Sequence, residues 1–299
     1  MTAIRVEPSW LALREPADAA ARAGDLVDEI RRELPAGRPL VIHDLACGTG
    51  AMLRWLAPQL PGPQHWITYD LDADLLAGLD AAPGTVAADG SQVTTQVRCR
   101  DVTRLGNCEL AGAALITSSA LLDLLTADEL RRLVCTCDEA RCPVLITLTV
   151  TGAVQLWPPH PLDEVVVAAF NAHQRRTTGG RRLLGPDAAD MAARAFTELG
   201  GHVVTRASPW RLGPATGALT SAWVAGWLAA AYEQDPRLAA ETGSCYASKR
   251  LADAAAGRLW VLVHHRDLLL RPAGQAAGTT VAPCRLPAAV RAAGGVRNG

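Results

Sequence analysis

The stretch Asp44-Leu45-Ala46-Cys47-Gly48-Thr49-Gly50 constrains this chain more than any other. An apolar run, Pro39-Leu40-Val41-Ile42-His43, precedes it, and a helical pattern, Met52-Leu53-Arg54-Trp55-Leu56, follows it. A strand that feeds a glycine-rich turn and then a helix is a βα unit, and such units build parallel sheets. Having no Cβ, Gly48 and Gly50 let the backbone turn tightly and let a nucleotide-like ligand lie against it. A dinucleotide site asks for G-x-G-x-x-G, but the third glycine position counted from Gly48 is Leu53. A carboxylate directly before the loop also repels a pyrophosphate. Asp44 suits a ligand whose near end is cationic, as a partner for an ammonium group.

The downstream spacing extends the pattern. Asp70 lies twenty residues after Gly50, at the end of a second strand-like run, His65-Trp66-Ile67-Thr68-Tyr69. A carboxylate at that place accepts hydrogen bonds from ribose hydroxyls. Thr95-Gln96-Val97-Arg98-Cys99-Arg100 alternates like a strand and leads into Asp101-Val102. Ala113-Ala114-Leu115-Ile116-Thr117 leads into Ser118-Ser119-Ala120-Leu121-Leu122-Asp123. Each acid has a simpler reading as well. Asp70 is placed to cap a helix at Ala73-Asp74-Leu75-Leu76, Asp101 to hold a turn, and Asp123 to face solvent from a helix.

Taken in order, these segments resemble the class I S-adenosylmethionine-dependent methyltransferases over about residues 39–150. The resemblance implies S-adenosylmethionine as cofactor and S-adenosylhomocysteine as product. It implies Asp44, Ala46, Gly48 and Gly50 around the methionine part, Asp70 and Leu71 at the ribose, and Asp101 and Val102 at the adenine. Ser118 and Ser119 fall where the family's fourth motif lies beside the methyl donor. Related enzymes lay an N-terminal helix over the cofactor, which assigns Arg14 to the methionine carboxylate with Asp18 as its partner. The alternative for Arg14 is an i,i+4 surface pair.

The expected fold is a Rossmann-like, doubly wound α/β sheet of seven strands, the last antiparallel, with N-terminal and C-terminal accessory helices. Strands read at 39–43, 64–69, 94–99, 113–118 and 143–149, and helices at 50–58, 72–79 and 126–138. Residues 8–34 read as one or two helices forming a cap over 1–37. A methyltransferase domain is expected over 38–271, with recognition insertions at 151–186 and 207–256. Within these, helices read at 162–173, 187–199, 215–234 and 236–256, a loop at 175–186, and strands at 202–206 and 259–264. Residues 272–299, rich in Ala, Gly and Pro, are expected to be disordered.

Composition excludes more than it identifies. The net charge of −1 offers no global field for nucleic acid. No run of eighteen apolar residues calls for a membrane, and the N-terminus lacks an apolar signal core. Eight cysteines without framework spacing point to a reducing, cytoplasmic compartment. Cys135, Cys137 and Cys142 are read as buried thiols rather than zinc ligands, and no metal is expected.

Substrate recognition is expected outside the cofactor half, from Trp157, Asn171, Gln174, Arg175, Trp210 and Arg211. His173, near neutrality and in a polar cluster, is the candidate base, with a helix cap as the alternative. Arg175, Arg176, Arg181, Arg182 and Arg211 suggest a cationic mouth for an anionic acceptor, or a solvated surface. Trp223, Trp227 and Tyr232 read as helix packing. Ser118-Ser119 departs from the D/N-P-P-Y/F motif of amide and adenine N-methylation, which leaves a small-molecule acceptor at a hydroxyl or carboxyl oxygen, with nitrogen second. RNA methylation and a non-methylating S-adenosylmethionine-binding protein are the other readings. The expected assembly is a monomer or homodimer.

Overall fold

The computed structural model describes residues 6–35, 37–79, 84–241 and 243–273. In chain order the elements are α1 (Pro8–Ala21), α2 (Gly24–Glu33), β1 (Leu40–Leu45), α3 (Ala51–Leu56), β2 (Gln64–Asp70), α4 (Ala73–Ala77), β3 (Val93–Cys99), α5 (Asn107–Leu110), β4 (Leu115–Ser119), α6 (Ala127–Glu139) and β5 (Val144–Trp157). Then follow α7 (Asp163–Gln174), β6 (Thr177–Thr178), β7 (Arg181–Arg182), α8 (Ala188–Glu198), β8 (His202–Ala207), β9 (Trp210–Leu212), α9 (Gly217–Gln234), α10 (Pro236–Glu241), α11 (Gly243–Ala255) and β10 (Trp260–Arg271).

The sheet runs β3-β2-β1-β4-β5-β10-β8, with β9 also paired to β10. The pairs from β3 to β5 are parallel, and β10 lies antiparallel between β5 and β8. This is the order that the sequence resemblance implies. The chain leaves β1 toward β2 on one side and returns to β4 on the other, which opens a crevice at the strand tips.

Helices cover both faces because each presents one apolar stripe. On one face Leu26, Val27 and Ile30 of α2 and Leu53 and Leu56 of α3 pack on Leu40, Ile42 and Trp66. On the other, Leu130, Leu133, Val134 and Cys137 of α6 and Ala188, Ala192 and Phe196 of α8 pack on Ile116, Ile146 and Leu268. Helix α6 begins at a reciprocal cap, in which Glu129 N donates to Thr126 Oγ1 and Thr126 N to Glu129 Oε2. Cys137 and Cys142 are buried thiols. Cys135 differs from expectation: it is half-buried, one helical step off the apolar stripe, and engaged in a disulfide.

Strands β5 and β10 are longer than their apolar runs suggest. They continue past the sheet as an antiparallel ribbon that carries a further core, with Trp210, Trp223, Trp227, Leu228 and Val261 among its members. Two irregularities bend the ribbon, one opposite His264 and one opposite Asp267. Gly152 (φ +80°) lies in the first and Leu148 (φ +57°) in the second. The buried Asp267 carboxylate holds the second. Leu148 N and Ala23 N each donate to it at 2.8 Å, and Ser208 Oγ at 2.5 Å. One carboxylate thus joins the bulge, the α1–α2 junction and the turn after β8.

The stretch 175–186, expected as a loop, contains the ribbon β6–β7. Its Gly179-Gly180 turn has both residues at positive φ, as a two-residue hairpin turn requires. The expected helix over 236–256 is two helices, and 8–34 is two helices split at Arg22. Of the tail expected to be disordered, 274–299 lie outside the described residues. Among the described residues no helix is long and apolar enough to cross a membrane.

Replacing Asp267 by Ala strands two buried backbone N–H groups, so Asp267→Ala is expected to lower unfolding free energy by about 3 kcal/mol in urea titrations.

Candidate functional site

The glycine turn is clamped to the tip of β2. Cys47 N donates to Tyr69 O (2.9 Å), and Gly48 N donates to Asp70 Oδ2 (2.8 Å). The other Asp70 oxygen accepts from Asp72 N at 3.0 Å. Gly48 and Gly50 hold positive φ, +54° and +85°. A Cβ on Gly48 would come within 3.2 Å of Leu11 of α1, and one on Gly50 within 3.2 Å of Leu79. Helix α1 therefore lies directly over the turn, locked by Glu15, which takes two hydrogen bonds from Arg54 (2.7 and 2.6 Å).

A cavity of about 420 Å³ opens at these strand tips. Asp44, Ala46, Gly48, Asp70, Leu71, Asp101, Val102 and Ser119 all line it, as does Arg14. Leu71, at 42% exposure, offers a flat apolar wall beside Asp101 and Val102. Asp101 Oδ1 accepts from Thr103 N and Oγ1, and Arg104 faces its other oxygen at 3.4 Å.

Two polar atoms on the cavity floor lack partners. Asp44 is buried; Thr117 Oγ1 donates to its Oδ1 at 2.8 Å, and its Oδ2 has no partner. Burial pushes its pKa up to about 7. Arg22, also buried and also lining the cavity, donates to Thr147 Oγ1 (3.4 Å) and Ser119 Oγ (3.2 Å), while its Nη1 has no partner. Burial pulls the Arg22 guanidinium below its ordinary value, opposed first by Asp18. An unpartnered acceptor and an unpartnered cationic donor on one floor complement a zwitterion such as an α-amino acid group.

Arg14, assigned by sequence to a ligand carboxylate, gives its fork to Asp18 (2.9 and 3.3 Å) and stacks on Trp210. Trp210 Nε1 donates to the same Asp18 at 3.0 Å. Arg22 has the free donor instead. Sequence reasoning missed it, and its only signal is an arginine at the break between two helical runs. Gly50 and Ser118 support the site from behind: Gly50 starts α3, and Ser118 Oγ donates to Leu45 O at 2.9 Å.

Among the expected recognition residues, Gln174 and Trp210 line the cavity. Trp157, Asn171, Arg175 and Arg211 do not. Trp157 is an exposed end of the ribbon, Asn171 donates to Gly152 O (2.8 Å), Arg175 pairs with Asp187 (2.7 Å), and Arg211 is exposed on β9. His173 is also outside. Helix α7 turns Phe170 and Gln174, four apart, into the cavity, and that leaves His173 on another face, 3.3 Å from Glu233 of α9. Burial and then Arg176 lower its pKa. The cavity is also lined by Asp123, the last residue of the segment read as the fourth motif, which sequence placed on a solvent-facing helix in its simpler reading, and by Asp72 and His265, which were not among the candidates.

Three of the four non-glycine residues with positive φ among the described residues, Ala46, Ala120 and Leu148, line this cavity. Such strain persists where surrounding structure over-determines the backbone, and it clusters at functional sites.

The strand order, the antiparallel β10 and the glycine turn with its acid-tipped strands settle the architecture. The chain has the class I methyltransferase fold. No protein-family model and no curated protein matches the sequence. Among solved structures, a cyclopropane synthase from Mycobacterium tuberculosis is 11% identical over 89% of this chain and 94% of its own, with a TM-score of 0.47. An O-methyltransferase family protein from Burkholderia thailandensis is 19% identical over 65% and 56%, with a TM-score of 0.40. Phosphoethanolamine N-methyltransferase 2 from Haemonchus contortus is 15% identical over 83% and 52%, with a TM-score of 0.39. At such identities nothing about an acceptor passes from these proteins to this chain.

Asp44 ties stability to pH. Its carboxyl keeps a proton up to about pH 7 when folded, whereas an unfolded chain loses it near ~4. The folded state binds more protons between these values, so stability falls as pH rises through that window. Asp44→Asn is expected to flatten that slope and to raise the thermal unfolding midpoint of the ligand-free protein at pH 8.

Proposed function

We propose that this protein is an S-adenosylmethionine-dependent methyltransferase acting on a small-molecule acceptor at oxygen. The observation that carries the reading is the floor of the cavity, where Asp44 Oδ2 and Arg22 Nη1 are both buried and both unpartnered beneath the glycine turn. Empty, this arrangement is costly, because buried polar groups without partners destabilise a fold. The amino-acid end of S-adenosylmethionine satisfies both: its ammonium meets Asp44 and its carboxylate meets Arg22. Asp70, fixed by Gly48 N and Asp72 N, keeps lone pairs for ribose hydroxyls. Leu71 and Val102 flank the adenine, with Asp101 at its edge.

When bound, the cofactor supplies a methyl group already attached to a good leaving group. What remains for the chain is alignment and exclusion of water. Helix α1 does the second, since Trp10, Leu11 and Arg14 close the cavity over the turn. Arg14 over the Trp210 ring, and Trp10 edge-on to the same ring at 6.4 Å, hold that lid in register with the ribbon.

Calorimetric titration with S-adenosylmethionine tests the reading. Binding is expected, and Asp70→Ala is expected to weaken it by roughly tenfold to a hundredfold, the cost of hydrogen bonds to a charged group. The sign of the pH effect follows from Asp44. The ammonium needs an ionised carboxylate, so affinity rises with pH up to about 7 and then levels. Below that value binding releases protons, which titrations in buffers of different ionisation enthalpy detect. Absence of heat at any pH between 6 and 9 would sink the reading. Because His173 lies outside the cavity, His173→Gln is expected to leave kcat unchanged, as product mass spectrometry over time would show.

A further inference from the structure

The part of the cavity supplied by α1, α7, α9, β9 and the β5–β10 ribbon is aromatic and apolar. Trp10, Phe170, Trp210 and Trp223 line it, with Leu148 and Val263. Flat apolar walls of this kind favour ring systems over flexible polar chains. Its cations are already paired: Arg14 is held by Asp18, and Arg181 is held by Glu129 at 3.0 and 2.6 Å. Arg175, Arg176, Arg182 and Arg211, gathered by sequence as a cationic mouth, do not line the cavity. Apart from Arg22 on the floor, which the methyl-transfer reading gives to the cofactor carboxylate, Arg14 and Arg181 leave no unpaired cation here for an acidic acceptor.

Two titratable side chains face the space. Asp123 lies in the turn Leu122–Leu124, directly after β4, between the cavity-lining Leu121 and Leu124. Among the described residues it makes no salt bridge and no hydrogen bond to another side chain. His265 is buried and its Nδ1 has no partner. Burial pushes the His265 pKa down to about 3, so it stays neutral and is a weak base. Burial pushes Asp123 up to about 6, close to the pH at which a general base works best. Arg14 from α1 is the charged group that acts on Asp123, while Arg181 from β7, His265 from β10 and Asp101 from the turn after β3 line the same cavity.

These features choose between the two oxygen acceptors. A carboxylate needs no base and would sit against Asp123 with no cation to hold it. A phenol-type hydroxyl, with a proton held to about pH 10, needs one. Resting on the methyl-transfer reading, we infer that the acceptor is a neutral, flat, apolar molecule bearing a phenolic hydroxyl, and that Asp123 takes its proton. The acceptor oxygen forms a bond to the methyl carbon as the sulfur–methyl bond breaks to leave a neutral thioether. The hydroxyl proton passes to the Asp123 carboxylate.

The test uses the full-length protein with S-adenosylmethionine and three probes: 2-naphthol, 3-hydroxy-2-naphthoic acid and 2-naphthoic acid. Methyl transfer is followed by product mass, and acceptor binding by quenching of the tryptophans in the wall. Expected are quenching and methylation with 2-naphthol and at least about tenfold lower kcat/KM for both acids. Asp123→Asn should lower kcat by on the order of a hundredfold, abolish the fall in kcat below about pH 6, and leave calorimetric cofactor affinity intact. Asp123→Glu should restore part of kcat and the acidic limb. Full turnover with an unchanged pH profile in Asp123→Asn overturns the base. Preference for either acid, or cofactor binding with neither quenching nor methylation by 2-naphthol, overturns the acceptor class. A protein that binds no cofactor at all fails earlier, at the methyl-transfer reading itself.

Discussion

The carboxylate of Asp267 is the point on which the rest of this structure turns. It sits in β10 with no solvent exposure and gathers three donors from parts of the chain far apart in sequence: Ala23, Leu148 and Ser208. Burial raises its pKa, and those donors oppose the shift. Because Leu148 N is held there, the backbone of β5 can take a positive φ and bend its tip over the strand ends. Because Ala23 N is held there, α1 and α2 meet at a fixed place, and Arg22 enters the cavity floor. A single buried acid thus couples the helix over the cavity, its floor and its aromatic wall.

Around the cavity the chain departs from what stability alone would select. Asp44 and Arg22 each keep a buried polar atom without a partner, and so does His265. Ala46 and Ala120, each just past the end of its strand, and Leu148 within β5 hold strained backbone side by side at β1, β4 and β5. Each departure has a cost of order 1–3 kcal/mol. Unpartnered buried polar atoms also occur away from the cavity, at Asp138, Thr149, Trp227 and Arg250 for example. What sets Asp44 and Arg22 apart is that an acid and a guanidinium line one cavity, where a charged, hydrogen-bonding ligand returns the missing partners.

The cradle of glycine turn and acid-tipped strands was legible because its signals are local. Asp44, Gly48 and Asp70 sit where a strand meets a turn, and a parallel sheet brings all its strand ends to one edge. The aromatic half of the cavity was not, for reasons visible in single residues. His173 and Gln174 are neighbours in sequence, yet only Gln174 reaches the cavity, because one helical step of 100° separates them. Arg14 and Arg22 are both arginines of the N-terminal helices, and which one keeps a free donor depends on where Asp18 and Trp210 fall. The two-residue Gly179-Gly180 turn was a hairpin signal that a polar composition concealed.

By itself the sequence determined the α/β alternation, the glycine bend after the first strand, and the acids that tip the strands, since apolar period and glycine conformation act over a few residues. The tertiary structure decided which guanidinium is left unsatisfied, which helix face meets the cavity, and that Asp123 and His265 share an aromatic chamber. Those outcomes depend on partners more than a hundred residues away, such as Arg22 with Thr147 and Ala23 with Asp267. Long-range packing sets burial, and burial sets both the charge state of an acid and the need of a polar atom for a ligand.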